Sequence, residues 1–304
     1  MEKYKKVLVT GGRGFVGGRL QKIRPDWIYM SSQDCDIMDA KALREYLDII
    51  KPDAVVHLAA HVGGIKESSE NQSVFYYRNS MINLNLIHQC YEAGIKRVLS
   101  CLSTCCFPDV ADNYPMTEKD FMKGEPTETN YGYGVAKRAL YVQSKWYSKE
   151  YGVCYNCFTP SNIYGPQNDS TLQRGHLISS MIKKFKAAKN GEEVEFWSDG
   201  TPLRQHLYVD DLAYLIPEML EKHTTDLPLV VAPPENLSIK QIVDTFCSIY
   251  DKNVRYKFNN KLTGQHRKDA SSEELLKIIP DFKFTTLKQG LKKTLEWVNI
   301  NEKD

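Results

Sequence analysis

Short, mostly apolar runs alternate with amphipathic segments through the first half of the chain. The runs lie at residues 5–10, 54–60, 97–101 and 153–160. Their length and their polar boundaries predict buried β-strands. Between them, residues 40–50 and 74–93 show the three-to-four-residue apolar spacing of helices. Because strands that alternate with helices form parallel sheets covered on both faces, we expect an α/β fold with a doubly wound parallel sheet of the Rossmann type.

The pattern changes after residue 165, where a polar loop precedes a basic amphipathic helix and a short strand. Residues 208–221 predict a helix that returns to the first domain, and the tail adds strands and helices. We therefore expect a Rossmann domain and a smaller, discontinuous α+β substrate domain. The expected bounds are 1–165 plus about 204–222 for the first domain, and about 166–203 plus 223–304 for the second.

Composition excludes several classes of partner. The 40 basic and 38 acidic residues give a net charge of +2, so no electrostatic feature favours nucleic acid or a membrane surface. No apolar run approaches the roughly 20 residues of a membrane helix, and the N-terminus lacks the apolar segment of a signal peptide. Eight cysteines in an otherwise ordinary chain indicate reduced thiols in the cytoplasm. Cys154 and Cys157 have no second cysteine pair, so we expect no metal site.

A glycine-rich turn follows the first predicted strand. Gly11, Gly14 and Gly17 form a Gly-x-x-Gly-x-x-Gly pattern that leads directly into helical spacing. In that position, backbone amides can close on a pyrophosphate at the N-terminus of a helix. The turn therefore predicts a dinucleotide-binding site.

The residues after the second predicted strand bear on the choice of dinucleotide. This strand, near residues 27–31, is followed by Ser and Gln rather than by an acid that would hold the ribose hydroxyls and repel a 2′-phosphate. Arg13 lies inside the glycine turn and adds a cation. Both features favour NADP over NAD, although Asp34 and Asp36, a little further on, leave NAD open at this stage.

A tyrosine and a lysine stand one helical turn apart at Tyr133 and Lys137. A lysine cation beside a phenol favours the phenolate, so we expect the tyrosine to move protons near neutral pH despite an ordinary pKa of about 10. Ser103, at the end of another predicted strand, offers a hydroxyl to the same carbonyl or alcohol oxygen. With a nicotinamide alongside, such a site transfers hydride.

These motifs resemble the extended short-chain dehydrogenase/reductases and, more narrowly, the GDP-L-fucose synthase family. Besides the glycine turn and Tyr-x-x-x-Lys, the resemblance is carried in order by Ala-Ala-His-Val-Gly-Gly-Ile at 59–65, Leu-Ser-Thr-Cys-Cys-Phe-Pro-Asp at 102–109, Thr-Pro-Ser-Asn-Ile-Tyr-Gly-Pro at 159–166, Gly-His at 175–176 and Gly-Thr-Pro-Leu-Arg at 200–204. It covers nearly the whole chain.

The resemblance implies three reactions at one site, and a homodimer paired through helices near 74–93 and 133–149. GDP-4-keto-6-deoxy-D-mannose, or a close GDP-keto sugar, is epimerised at C3 and C5 and then reduced at C4 by NADPH. Inverting a carbon needs a base on one ring face and a proton donor on the other, and Cys105 and His176 match the family's acid/base pair. Ser103, Tyr133 and Lys137 match the group that binds the C4 oxygen.

The resemblance also implies binding residues. On the cofactor side these are Gly11, Arg13, Gly14, Phe15, Val16, Gly17, Asp36, Ala59, Ala60, Tyr133, Lys137, Pro160, Asn162, Ile163 and His176. On the substrate side these are Val62, Gly63, Ser103, Thr104, Cys105, Asn162, Lys184, Trp197, Arg204 and Lys268. An indole stacks on flat groups and a guanidinium grips pyrophosphate, which suits Trp197 and Arg204 to the GDP portion.

Three departures from the family pattern fall on the substrate side. They lie at residues 166–170, at Ser179 and at residues 262–264. They keep open an enzyme for another 4-keto nucleotide sugar, of the colitose or 6-deoxy-heptose type. A non-catalytic NADP-binding regulator is the alternative from another class, but such a protein would have lost the tyrosine–lysine pair or the proton-transfer residues, and all of them are present.

Overall fold

The computed structural model describes residues 3–167, 177–259 and 265–301. The strands are β1 Val7–Thr10, β2 Ile28–Met30, β3 Ala54–His57, β4 Arg97–Cys101, β5 Cys154–Pro160, β6 Asn162–Tyr164, β7 Glu193–Phe196, β8 Leu203–Arg204, β9 His206–Tyr208, β10 Leu229–Val231, β11 Leu237–Ser238 and β12 Arg255–Phe258. The helices are α1 Phe15–Ile23, α2 Ala40–Ile50, α3 Ile65–Glu70, α4 Gln72–Glu92, α5 Tyr131–Tyr151, α6 Leu177–Ala187, α7 Val209–Lys222, α8 Ile239–Cys247, α9 Glu273–Ile278 and α10 Leu287–Asn301.

A six-stranded sheet organises the larger part of the molecule. Its strand order is β10-β5-β4-β3-β1-β2, and each neighbouring pair is parallel. The order reverses direction between β1 and β3, so the carboxyl ends of these strands border a crevice in which doubly wound sheets bind ligands. The expected doubly wound parallel sheet is confirmed.

Helices cover both faces of this sheet. Leu8, Val55 and Val98 face α2, α4 and α5, where they join one buried cluster. The next residues along two of these strands, Val9 and Val56, turn to the opposite face and pack with α1, α7 and α9. Because successive strand residues alternate sides, nearly every residue of these strands is buried, which explains their uninterrupted apolar runs.

Local signals set the ends of several helices. The Asp39 carboxylate accepts hydrogen bonds from the amides of Lys41 and Ala42, and so caps α2. Gly94 follows the end of α4 with φ +73°, a left-handed conformation that favours glycine. Ser238 caps α8 through the Gln241 amide. None of the helices among the described residues is long and apolar enough to cross a membrane.

A second, smaller layer forms around α6, α8 and α10, which bury a separate apolar cluster. Its strands are short: β7 pairs with β12 in parallel, and β8 pairs with β11 antiparallel. A third pair, β6 with β9, is parallel and lies where the chain passes between the two layers. This arrangement of short strands and helices supports the proposed α+β substrate domain.

One segment differs from the proposed domain bounds. In the expected bounds, the last segment of the larger domain ends at about residue 222. In the structure, however, Leu229–Val231 (β10) pairs with Phe158–Pro160 of β5 at the edge of the large sheet. A three-residue apolar run does not reveal which sheet it joins, because all of its residues would be buried in either place. We therefore extend the proposed Rossmann domain to include this strand.

Candidate active site

The glycine turn packs against the end of β3. Gly11 has φ +70°, and a Cβ atom there would lie 2.8 Å from the Ala59 amide nitrogen. A Cβ at Gly17 would lie 2.5 Å from the Gly11 carbonyl oxygen. The turn is closed by a hydrogen bond of 2.9 Å from the Gly14 amide to the Gly11 carbonyl. Only glycine permits these close approaches, which place the turn against the end of β3 at the N-terminus of α1, the position that suits a pyrophosphate.

Arg13 lies beside the end of β2, as a 2′-phosphate site requires. Its Nη1 donates a hydrogen bond to Gln33 Oε1. Asp34 is engaged locally, since its carboxylate accepts hydrogen bonds of 2.8 and 2.7 Å from the amide and hydroxyl of Ser31. Asp36 is exposed and accepts a bond from the Met38 amide. The exposed cation at this edge therefore belongs to Arg13, which favours NADP.

Lys137 is buried beneath the end of β4. Its Nζ donates to the Cys101 carbonyl at 2.8 Å and lies 5.9 Å from the centre of the Tyr133 ring. Burial lowers the pKa of Lys137, because the charged form loses water. The tyrosine and the lysine are therefore brought to one place, as the sequence predicts, but the ammonium is directed at a carbonyl.

The protonation of Tyr133 differs from the expectation. Burial, followed by the nearby thiols of Cys105, Cys101 and Cys106, raises its pKa well above the ordinary value, and the hydrogen bond with Ser103 lowers it only in part. This direction differs from the phenolate that the tyrosine–lysine spacing predicts, because desolvation of the buried phenol is the largest influence on its pKa. Tyr133 consequently holds its proton and suits the role of a proton donor.

The two adjacent cysteines after β4 lie in different environments. A short 3₁₀ turn, Thr104–Cys106, follows Ser103, whose Oγ accepts a hydrogen bond of 3.1 Å from the Cys105 amide. Cys106 packs in the core, and burial raises the pKa of its thiol to about 12. Cys105 instead contacts Lys268, whose Nζ lies 3.3 Å from the Cys105 sulfur. The turn thus presents Cys105 beside Ser103 and Tyr133.

The predicted GDP residues fall into two groups. Arg204 lies at the end of β8. Burial lowers the pKa of its guanidinium, and the nearby Cys105 sulfur raises this pKa by a smaller amount. Lys184 lies on α6, and its Nζ donates to the Glu195 carbonyl of β7 at 2.7 Å. Trp197 follows β7 and exposes half of its side chain, as a stacking surface requires.

The remaining predicted residues line the same strand ends, but they differ in exposure. Val62 is exposed, Gly63 packs against Glu67 and Phe75, and Thr104 is buried inside the 3₁₀ turn. Phe15, Val16, Ala60 and Ile163 are half-buried, Pro160 ends β5 in the interior, and Asn162 donates to the Gln205 carbonyl at 3.3 Å. His176 lies outside the described residues, as do two of the family departures, residues 168–170 and 262–264.

A buried hydrogen-bonded group beneath the site does not belong to the predicted set. His57, at the end of β3, contacts Thr10 Oγ1 at 2.8 Å and Asn83 Oδ1 at 3.2 Å. Asn83 in turn donates to the Ala136 carbonyl of α5 at 3.3 Å. In the sequence, the only indication of this group is His57 itself, a single histidine within the apolar run at residues 54–60. The other members of this group come from β1, α4 and α5 and are not adjacent in the sequence.

The fold and this geometry define a class. A glycine turn before α1, with a serine and a tyrosine–lysine pair at the carboxyl end of β4, is the arrangement of a dinucleotide-dependent oxidoreductase of the short-chain type. The model of the NAD dependent epimerase/dehydratase family matches residues 7–231. The chain belongs to this family, and its relatives within the family include GDP-L-fucose synthases.

Comparison with individual proteins supports that placement. The chain is 35% identical to GDP-L-fucose synthase of Dictyostelium discoideum, over 96% of this chain and 95% of that protein. It is 33% identical to the probable GDP-L-fucose synthase of Drosophila melanogaster, over 96% and 97%. Among solved structures, a GDP-L-fucose synthetase from Naegleria fowleri bound to NADP superposes with a TM-score of 0.88 at 30% identity, covering 99% of this chain and 94% of that one.

Proposed function

We propose that the protein is a GDP-L-fucose synthase. It epimerises GDP-4-keto-6-deoxy-D-mannose at C3 and C5 and then reduces C4 with NADPH. The observation that carries this proposal is the clustering of Cys105, Ser103 and Tyr133 at the end of β4, at the same edge of the sheet as the glycine turn. Reduction alone needs only the serine, tyrosine and lysine, so a thiol placed among them supports an additional proton-transfer step.

Epimerisation uses the acidity of the carbons beside the C4 carbonyl. Removing a proton from C3 or C5 leaves an enolate whose charge lies on the C4 oxygen. Ser103 and Tyr133 are placed to hydrogen-bond that oxygen, and one such bond is typically worth about 3 kcal/mol in the transition state. Cys105 exchanges a proton with the carbon on one ring face, and His176, outside the described residues, is the proposed partner on the other.

Reduction completes the reaction at the same carbonyl. The glycine turn, in which Gly11 closely approaches Ala59, would hold the pyrophosphate of NADPH, and the bound cofactor would supply the hydride for C4. Tyr133 then gives its proton to the C4 oxygen, a role that suits a phenol whose pKa burial raises. Lys137, held on the Cys101 carbonyl, keeps a cation near the phenol as charge develops.

Recognition of the GDP portion is proposed for the smaller layer. Trp197 offers a half-exposed indole, and Arg204 offers a guanidinium whose Nη1 is held by the Leu203 carbonyl at 2.7 Å. Lys184 adds a cation at the α6 side. Since Ser179, one of the family departures, lies in α6 of this layer, a related 4-keto nucleotide sugar is the second candidate substrate.

We also propose a homodimer that pairs through α4 and α5. These two helices pack on each other and still leave large apolar side chains exposed, among them Tyr77 at 59% and Trp146 at 51%. Trp146→Asp should give monomers in light scattering after gel filtration. Ile49→Asp, on the exposed face of α2, is the matched control and should stay dimeric.

All eight cysteines carry free thiols, which suits the proposed cytoplasmic location.

The test of function is oxidation of NADPH with GDP-4-keto-6-deoxy-D-mannose made in the same reaction by a dehydratase, with the sugar product identified. GDP-L-fucose as the product supports the whole proposal. A reduced sugar without inversion would keep the reductase and remove the epimerase role of Cys105. No oxidation, with NADPH shown to bind, would favour a different keto sugar. Tyr133→Phe, which should bind NADPH without oxidising it, is the matched control.

A further inference from the structure

Lys268 directs its ammonium at the sulfur of Cys105. The Nζ–Sγ distance is 3.3 Å, and the contact joins residues 163 positions apart in the chain. None of the ion pairs within the described residues involves Lys268. Its acidic neighbour Asp269 is instead paired with Arg267 at 2.6 Å. The charge of Lys268 is therefore available to the thiol.

The backbone on either side of Lys268 is fixed by the protein. The Ala270 amide donates to Gln205 Oε1 at 2.9 Å, and the Met116 amide donates to the Asp269 carbonyl at 2.9 Å. These bonds tie the segment to β8 and β9 through Gln205, and to the loop after β4 through Met116. These backbone hydrogen bonds therefore hold Lys268 in position beside the thiol.

We propose that Lys268 is a positioning residue that holds Cys105 in the site as a thiolate. The inference rests on the proposed function for its catalytic meaning, but it concerns a property of the protein alone. It assigns Lys268 a role at the reacting carbons, whereas the family resemblance implies only a contact with the substrate.

The other groups that face Cys105 support this assignment. Burial raises the pKa of the Cys105 thiol, while Lys268, the Ser103 hydroxyl and Arg204 together lower it by more. Tyr133 and Cys106 also face the sulfur, and burial raises the pKa of both. They remain neutral beside a thiolate, so the two cations determine the charge at this place.

A thiolate beside the sugar begins the reaction as a base. The carbon–hydrogen bond breaks, the proton forms a bond to the Cys105 sulfur, and the electron pair moves into the enolate on the C4 oxygen. A proton donor on the opposite ring face then protonates the carbon, which consumes the enolate and completes the inversion. The Cys105 thiol beside Lys268 gives its proton to water, and the thiolate is restored.

The experiment measures the pH dependence of Cys105 alkylation by iodoacetamide in the full chain without substrate, with the modified site read by mass spectrometry. Lys268→Met and Lys268→Gln remove the charge, Lys268→Arg keeps it, and the exposed Lys41→Met is the matched control for net charge. Cys105→Ser defines the background. Circular dichroism and NADPH affinity show that each variant is folded.

We expect the alkylation midpoint of Cys105 to rise by at least about one pH unit in both neutral variants, which is a tenfold decrease in the acidity constant of the thiol. Lys268→Arg and Lys41→Met should stay within about 0.3 units of the parent. An unchanged midpoint in the two neutral variants would overturn the inference. If the midpoint rises in the neutral variants but the parent protein fails to turn over the GDP-keto sugar, the proposed function is overturned and this inference still stands.

Discussion

The side chains of Thr10 and His57 are joined by a hydrogen bond of 2.8 Å across two neighbouring strands of the large sheet. Both residues are fully buried. Thr10 precedes the glycine turn, and its Oγ1 also accepts a hydrogen bond from the Ala59 amide at 3.2 Å. The pair therefore links the two backbone segments whose close approach shapes the proposed pyrophosphate site.

The direction of each hydrogen bond in this group follows from its last bond, between Asn83 and the Ala136 carbonyl. Asn83 donates through Nδ2 to the Ala136 carbonyl, so its Oδ1 must accept the bond from His57 Nε2. His57 is then neutral with its proton on Nε2, and Nδ1 accepts from the Thr10 hydroxyl. The chain of bonds ends on the residue before Lys137, and it thereby connects the glycine turn with α5.

Thr10→Val should weaken this coupling. Valine has the same shape as threonine, so the packing is kept while His57 Nδ1 and the Ala59 amide lose their partner. A buried group left unpaired costs about 1–3 kcal/mol. We expect a loss of this order in the free energy of unfolding by urea, with weaker NADPH binding. Thr10→Ser, which keeps the hydroxyl, is the control. Equal stability of the Val and Ser variants would show that the bond contributes little.

Acidification should destabilise the protein through two buried histidines. Burial lowers the pKa of His57 to about 3 and that of His223 to about 4, whereas both titrate near the ordinary value of about 6.5 when unfolded. Between these values the unfolded chain binds more protons than the folded one. The stability is therefore fully present above about pH 6.5 and is lost as the pH falls through this window.

The expected loss is about 2 kcal/mol for each histidine between pH 7 and pH 5. It is measured by urea unfolding at several pH values. His57→Gln should remove about half of the combined pH-dependent loss, and the difference between the variant and the parent isolates this residue. A pH dependence that is identical in both proteins would contradict the assignment of a neutral, buried His57.

The sequence reveals the sheet more fully than the chemistry beneath it. The helix predicted at residues 40–50 coincides with α2, and the runs at 54–60 and 97–101 contain β3 and β4. These elements follow from apolar periodicity, which burial on one or both faces imposes. Leu229–Val231 was placed in the wrong layer, since three apolar residues carry no information about their neighbour strand.

The candidate site divides in the same way. Ser103, Cys105 and the tyrosine–lysine pair were found because each belongs to a local motif, and the structure brings them together at the end of β4. The high pKa of Tyr133 was missed, because it arises from burial by distant residues. The contact between Cys105 and Lys268 was missed for the same reason, since no local pattern connects a loop after β4 with a loop before α9.

Cofactor selectivity should depend on Arg13. Its guanidinium lies at the end of β2 beside Gln33, so its removal should cost NADPH the charge-assisted hydrogen bonds to the 2′-phosphate. Such bonds are worth about 1.5–3 kcal/mol, which corresponds to a loss of roughly ten- to a hundredfold in affinity. NADH lacks this phosphate and should lose little.

The measurement is fluorescence titration of Arg13→Ala with both cofactors. Arg13→Lys, which keeps the charge but not the planar fork of donors, should retain part of the preference. Gln33→Ala is the matched control at the same edge and should leave the preference for NADPH intact. Equal losses for NADPH and NADH in Arg13→Ala would remove the 2′-phosphate from its role.

Cys105→Ser should separate the two halves of the proposed reaction. A serine hydroxyl has nearly the same size as the thiol, but it does not ionise near neutral pH, so it cannot take a proton from carbon. We expect exchange of the C3 and C5 hydrogens with deuterated water to fall by about 100-fold or more, the usual range for loss of a general base. NADPH binding, which depends on the glycine turn, should stay within about twofold of the parent, a difference of less than about 0.5 kcal/mol.

Cys106→Ser is the matched control. The Cys106 side chain lies in the core, so this variant should lose stability and keep the exchange. Exchange at the parental rate in the Cys105 variant would show that another group moves these protons.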